Sequence, residues 1–70
     1  MDRQNVISSN LKSVGYDAQN YVLEVEFKTS GVYQFFGVSE NVFKNLMAAQ
    51  AHGSYFNANI KNTYRNLKIR

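Results

Sequence analysis

Seventy residues with 44% hydrophobic content, no Cys and a net charge of +3 leave room for one small core, and they exclude disulfide cross-links and thiolate metal sites. No apolar run approaches the roughly 20 residues of a membrane span. The opening Met1-Asp2-Arg3-Gln4-Asn5 lacks the apolar stretch of a secretory signal, so a cytoplasmic protein with no membrane partner is expected. Residues 1–5 are polar and expected to fray. A first strand is predicted at about 9–16, with Gly15 as a bulge that turns Tyr16 toward the core. Asp17-Ala18-Gln19-Asn20 is a turn, because Asp and Asn fold back on their own backbone. Tyr21–Lys28 is the clearest strand. Leu23, Val25 and Phe27 point one way, and Val22, Glu24, Glu26 and Lys28 point to the face expected to be wet. Thr29-Ser30-Gly31 closes a hairpin, with Gly31 free to take positive φ. The third strand, Val32-Tyr33-Gln34-Phe35-Phe36, puts Tyr33 and Phe35 on one face and Val32, Gln34 and Phe36 on the other. Alternation alone leaves open which of those faces closes the core.

A helix is predicted over about 39–52. Ser39 caps it, Glu40 lies in its first turn, and Val38 with Phe43 fits a hydrophobic staple. His52 would sit in the last turn and Gly53 at the C′ position. Ser54 can cap a second helix over about 54–63. Phe56, Ile60, Tyr64 and Leu67 recur at helical spacing, and Lys61, Arg65 and Lys68 form a neighbouring stripe. The end, residues 64–70, also alternates and stays open between helix and extended chain. The expected fold is α+β: a three-stranded antiparallel meander followed by two helices packed on one face. Leu23, Val25, Phe27, Val42, Phe43, Leu46, Met47, Phe56 and Ile60 are the expected core.

Few residues carry chemistry. The one His, His52, is expected to serve the helix dipole rather than as a general base. Glu24 and Glu26 share a strand face and are expected to be solvated charges. With no Cys and a single His, neither a metal site nor a cofactor is expected, and neither is an enzyme. The charge distribution says more. Residues 1–40 carry three bases and five acids, a net −2, whereas residues 41–70 carry five bases and no acid. Such asymmetry suits a surface that meets a polyanion. A solvated face that happens to be basic fits the same counts. Aromatics on an open sheet face can stack bases while Lys and Arg hold phosphates. Against this, so small a domain needs most of its aromatics inside.

The series Ser8-Ser9-Asn10-Leu11, Ser13-Val14-Gly15-Tyr16-Asp17, Leu23-Glu24-Val25-Glu26-Phe27, Gly31-Val32-Tyr33-Gln34-Phe35-Phe36-Gly37-Val38, Gly53-Ser54-Tyr55-Phe56-Asn57 and Ile60-Lys61 resembles the KTSC domain family over about residues 7–67. That resemblance makes residues 1–70 one KTSC-like domain. The family is named for a segment at the C-terminus of some lysyl-tRNA synthetases and also occurs as small stand-alone bacterial and phage proteins. Its hallmark Tyr-x-Tyr stands here as Tyr33-Gln34-Phe35, so the second ring is kept and its hydroxyl lost. Ser39 stands where the family often has Pro. The family's biochemical role is essentially uncharacterised, and what the resemblance implies is limited to the RNA binding that the synthetase association suggests. Together with the charge split, the resemblance points to a non-enzymatic RNA-binding module. Tyr33 and Phe35 would stack bases or shape the binding face, and Lys61, Arg65, Lys68 and Arg70 would contact phosphate. The alternative is an accessory module that docks a protein through a strand edge or an aromatic patch.

Overall fold

The structure, a computed structural model, describes residues 1–70 throughout. Its organising element is a strand, Val22–Phe27, whose alternation of apolar and acidic side chains separates the two faces of a sheet. In chain order the elements are β1 (Gln4–Asn5), β2 (Leu11–Asp17), β3 (Val22–Phe27), β4 (Gly31–Phe36), α1 (Glu40–Ala48), α2 (His52–Asn59) and β5 (Asn66–Lys68). The sheet is a continuous antiparallel meander in the order β1-β2-β3-β4-β5. The α+β class and the two helices are as expected, but the sheet has five strands rather than three. Four precede the helices and the fifth follows them.

The two extra strands are short, polar and at the edges. Gln4 and Asn5 are exposed and pair with Val14 and Ser13 through backbone alone, so no side-chain period announces them. At the other end α2 stops at Asn59. The tail crosses back to pair Lys68 with Tyr33 and Leu67 with Gln34.

Register decides the question that alternation left open. Leu23 lies opposite Phe35 and Val25 opposite Tyr33, while Val14 and Tyr16 flank the same two residues from β2. Tyr33 and Phe35 therefore share the face on which the helices pack. The register shift in β2 falls between Leu11 and Ser13, not at Gly15. The extra residue there, Lys12, is exposed, and the irregularity lets Leu11 and Val14 both reach the core. Gly15 has a different duty. A Cβ at that position would stand 2.5 Å from the carbonyl oxygen of Asp2, because the N-terminal segment crosses directly over it. Gly31, at φ 94°, is needed twice: for its left-handed turn and because a Cβ would stand 2.1 Å from the Arg70 carbonyl oxygen.

The helix start is as expected: Ser39 accepts from the Val42 amide at 3.4 Å. Its end is not. α1 stops at Ala48, and His52 and Gly53 open α2 instead of closing α1. Ser54 is not the second cap; Ala51 occupies that position without a side-chain bond. Nothing in Ala49-Gln50-Ala51 breaks a helix by propensity. The chain leaves the helix at Ala49, which takes extended backbone while its amide donates to the Leu46 carbonyl at 3.3 Å, and the His52 ring donates from Nδ1 to the same carbonyl at 2.8 Å.

The core joins Leu11, Val14, Leu23, Val25 and Phe35 of the sheet to Val38, Leu46, Phe56 and Ile60. Of the expected core, Leu23, Val25, Leu46, Phe56 and Ile60 are sealed, while Phe27, Val42, Phe43 and Met47 are partly buried against it. Tyr16 stacks on Phe43 with centroids 5.0 Å apart, and its hydroxyl donates to the Val38 carbonyl. Burial, and secondarily the nearby Glu40, push the Tyr16 hydroxyl above the usual tyrosine pKa.

Candidate functional site

Four rings meet where β3, β4 and α2 converge. Phe27 stands edge-on to Tyr33 at 5.6 Å and to Phe56 at 5.3 Å, and Phe35 stands edge-on to Phe56 at 5.3 Å. Above these rings opens a cleft of about 430 Å³. Its rim comes from the loop before β2 (Asn10), the β3–β4 turn (Thr29, Ser30), α2 and the turn after it (Asn57, Lys61, Asn62) and β5 (Asn66). No Asp or Glu lines it.

The structure divides the residues singled out from the sequence. Tyr33, Phe35 and Lys61 line the cleft, and Lys68 lies opposite Tyr33 on the paired strand. Phe35 is only 3% exposed, so it forms the floor and has no open face on which a base could stack. Tyr33 is half-buried. Lys61, Arg65 and Lys68 form no helical stripe, because the helix ends before all three. By strand alternation Arg65 falls beside Phe36, whose amide donates to the Arg65 carbonyl at 2.9 Å. Arg70 lies beyond β5, where its carbonyl accepts from the Val32 amide at 3.1 Å, and it does not line the cleft. The basic half of the chain is thus split between two faces.

On that opposite face lies a network that composition did not reveal. Glu24 is 5% exposed, not the solvated charge expected of a wet strand face. Arg3 reaches it from the N-terminal segment with one guanidinium nitrogen. A second approaches Glu26 at 3.7 Å, and Nε donates to Ser13 at 2.9 Å. Gln34 donates to Glu24 at 2.9 Å and Ser13 to Glu26 at 2.9 Å. Burial alone would raise the Glu24 pKa, but hydrogen bonds from Gln34 and Arg3, with the Arg3 charge, hold it below the usual carboxylate value. Glu26 is lowered chiefly by the Ser13 hydroxyl. The signal in the sequence was parity: Ser13, Glu24, Glu26 and Gln34 fall on one face once the register is known.

His52 and Gly53 line a second, polar groove with Ser8, Ser9, Asn10 and Ser54. Because Nδ1 donates to the Leu46 carbonyl, no carboxylate orients the ring; it caps the last turn of α1 from the helix that follows.

Comparison with known proteins agrees with this geometry. A model of the KTSC domain matches residues 7–64. An uncharacterised protein of Stutzerimonas stutzeri is 39% identical over 57 residues, which cover 81% of this chain and 80% of that one. A protein of Tsukamurella paurometabola is 32% identical over 62 residues, 89% of this chain and 92% of its own. A crystal structure of a KTSC domain protein from Yersinia pestis superposes with a TM-score of 0.97 at 40% identity, covering 99% of this chain and 97% of that one. With a family model over most of its length and a full-length structural match, the chain belongs to the KTSC domain family.

Proposed function

We propose that the protein is a non-enzymatic module that binds single-stranded RNA on the helix-bearing side of the sheet. The observation that carries this reading is the cleft itself: an aromatic floor, Lys61 on the rim, Lys68 across from Tyr33, and no carboxylate among the lining residues. Two of the five acids, Glu24 and Glu26, are tied to Arg3 on the far face. A polyanion approaching the cleft meets cations without adjacent repulsion. In this reading Tyr33 offers a ring to a base, Phe35 shapes the floor, and Lys61 and Lys68 hold phosphates. Arg65 and Arg70 contribute through their field or to flanking backbone. Purification without nuclease, followed by the absorbance ratio and identification of co-eluting material, tests it. RNA in the peak supports the reading, whereas a protein partner without nucleic acid overturns it.

One observation favours a second reading, docking to a protein. Phe36, Leu67 and Ile69 are 39%, 57% and 44% exposed on the far side of the β4–β5 pair, beside the unpaired outer edge of β5. That reading predicts binding with weak salt dependence.

A further inference from the structure

Asparagines dominate the cleft rim. Asn10, Asn57, Asn62 and Asn66 all line it. Asn20 and Asn59 use their side chains in local bonds, to Asp17 and to the Tyr55 carbonyl. By contrast, the side chains of Asn57, Asn62 and Asn66 are exposed and make no hydrogen bond, and the Asn10 side chain accepts one from Ser8. Several uncommitted carboxamides therefore surround an aromatic floor.

A carboxamide presents a donor and an acceptor side by side. That pair matches the edge of a nucleobase, where a donor and an acceptor also lie adjacent, as in the bidentate pairing of Asn with adenine. It matches an inorganic anion poorly, because its carbonyl would face negative charge. It matches an aliphatic ligand poorly too, because the rim's polar groups would lose water with nothing in return. The volume lies within the about 300–1,000 Å³ usual for small-molecule sites. Tyr33 gives the ligand a flat apolar wall, and Lys61 with Lys68 gives an attached phosphate a counter-charge.

We infer that the cleft takes one unstacked nucleobase, its face against Tyr33 and its edge on the asparagine carboxamides. The inference deepens the RNA reading and rests on it for the strand as source; a free nucleotide carries the same chemistry.

The test uses the full chain. A short single-stranded RNA, the fully abasic ribose-phosphate backbone of the same length, and a nucleoside monophosphate are each titrated at low salt. Affinity and the side-chain amide signals of Asn57, Asn62 and Asn66 are followed. Removing the bases should lower affinity by on the order of tenfold or more. A variant with Asn57→Ala, Asn62→Ala and Asn66→Ala, all exposed positions, should lose a similar factor on the intact RNA and almost none on the abasic strand. Amide shifts with the monophosphate, without affinity for either strand, would support a base site whose source is a free nucleotide, and would sink the RNA reading alone. Equal affinity for intact and abasic strands, with no amide shift from the monophosphate, overturns the inference. RNA binding that still weakens with salt would then survive as backbone recognition only.

Discussion

Tyr33 and Lys68 lie directly opposite each other across the β4–β5 pair. The pairing sets a half-buried ring beside a cation and links residues 35 positions apart in sequence. It exists because the tail is a strand: a helical tail would have carried Lys68 away from β4. The cleft thus depends on β5 for one wall and for part of its charge.

The rings of the Tyr33-Gln34-Phe35 motif should behave differently when removed. Phe35→Ala empties a sealed core position and should cost about 3–5 kcal/mol, most of the stability of so small a domain. Tyr33→Ala should leave the protein folded and weaken single-stranded RNA binding by roughly tenfold. Thermal denaturation and a binding titration on the two variants separate floor from stacking wall. A Tyr33→Ala protein that unfolds as readily as Phe35→Ala would refute the division.

The Arg3 network predicts a specific pH response. Glu24 and Glu26 have folded-state pKa values below their unfolded values. Their stabilisation is therefore present above the unfolded carboxylate pKa, about 4.3, and is lost as pH falls through the lower folded values. Arg3→Ala should cost about 2–4 kcal/mol at neutral pH, because it leaves Glu24 buried with only Gln34 as partner. In that variant burial is opposed mainly by Gln34, so the Glu24 pKa should rise toward its unfolded value and the loss of stability on acidification should become shallower. Melting temperature against pH for both proteins checks this; superimposable curves would show that Arg3 contributes nothing, and parallel but offset curves that it does not set the carboxylate pKa values.

Tyr21 sits at φ 57° in the β2–β3 connection and is 57% exposed. The left-handed region costs a non-glycine residue about 1–2 kcal/mol, and glycine gives back part of that through its looser unfolded state. Tyr21→Gly should therefore stabilise by roughly 0.5 kcal/mol, which for a domain of this size raises Tm by about 2–4 °C. A fall in Tm would mean that the Tyr21 ring packs more than its exposure suggests.

The centre of the fold was legible because β3 alternates cleanly and Ser39 caps α1 by local chemistry. What was missed has no local signature. Gln4-Asn5 pair through backbone only. The break after Ala48 has no proline or glycine to announce it, and the carbonyl left there is met by the His52 ring six residues on. The burial of Glu24 depends on an arginine 21 residues away. In the candidate site, Tyr33, Phe35 and Lys61 line one cleft, and Lys68 lies opposite Tyr33 through strand pairing. Arg65 and Arg70 do not line the cleft; helical spacing predicts Arg65 beside Lys61, but the helix ends at Asn59 and strand alternation turns Arg65 away from the face that Asn66 shares with Phe35.

The central claim is that the cleft side of the sheet binds RNA through Lys61 and Lys68. Affinity for single-stranded RNA measured as a function of salt, for the wild type and for the Lys61→Ala, Lys68→Ala double variant, tests it most directly. Each phosphate contact in a single strand contributes about 0.7 to the slope of log K against log salt. The account predicts that the double variant binds more weakly at low salt and with a slope shallower by about 1.4. An unchanged slope, or no affinity of the wild type at low salt, would contradict it.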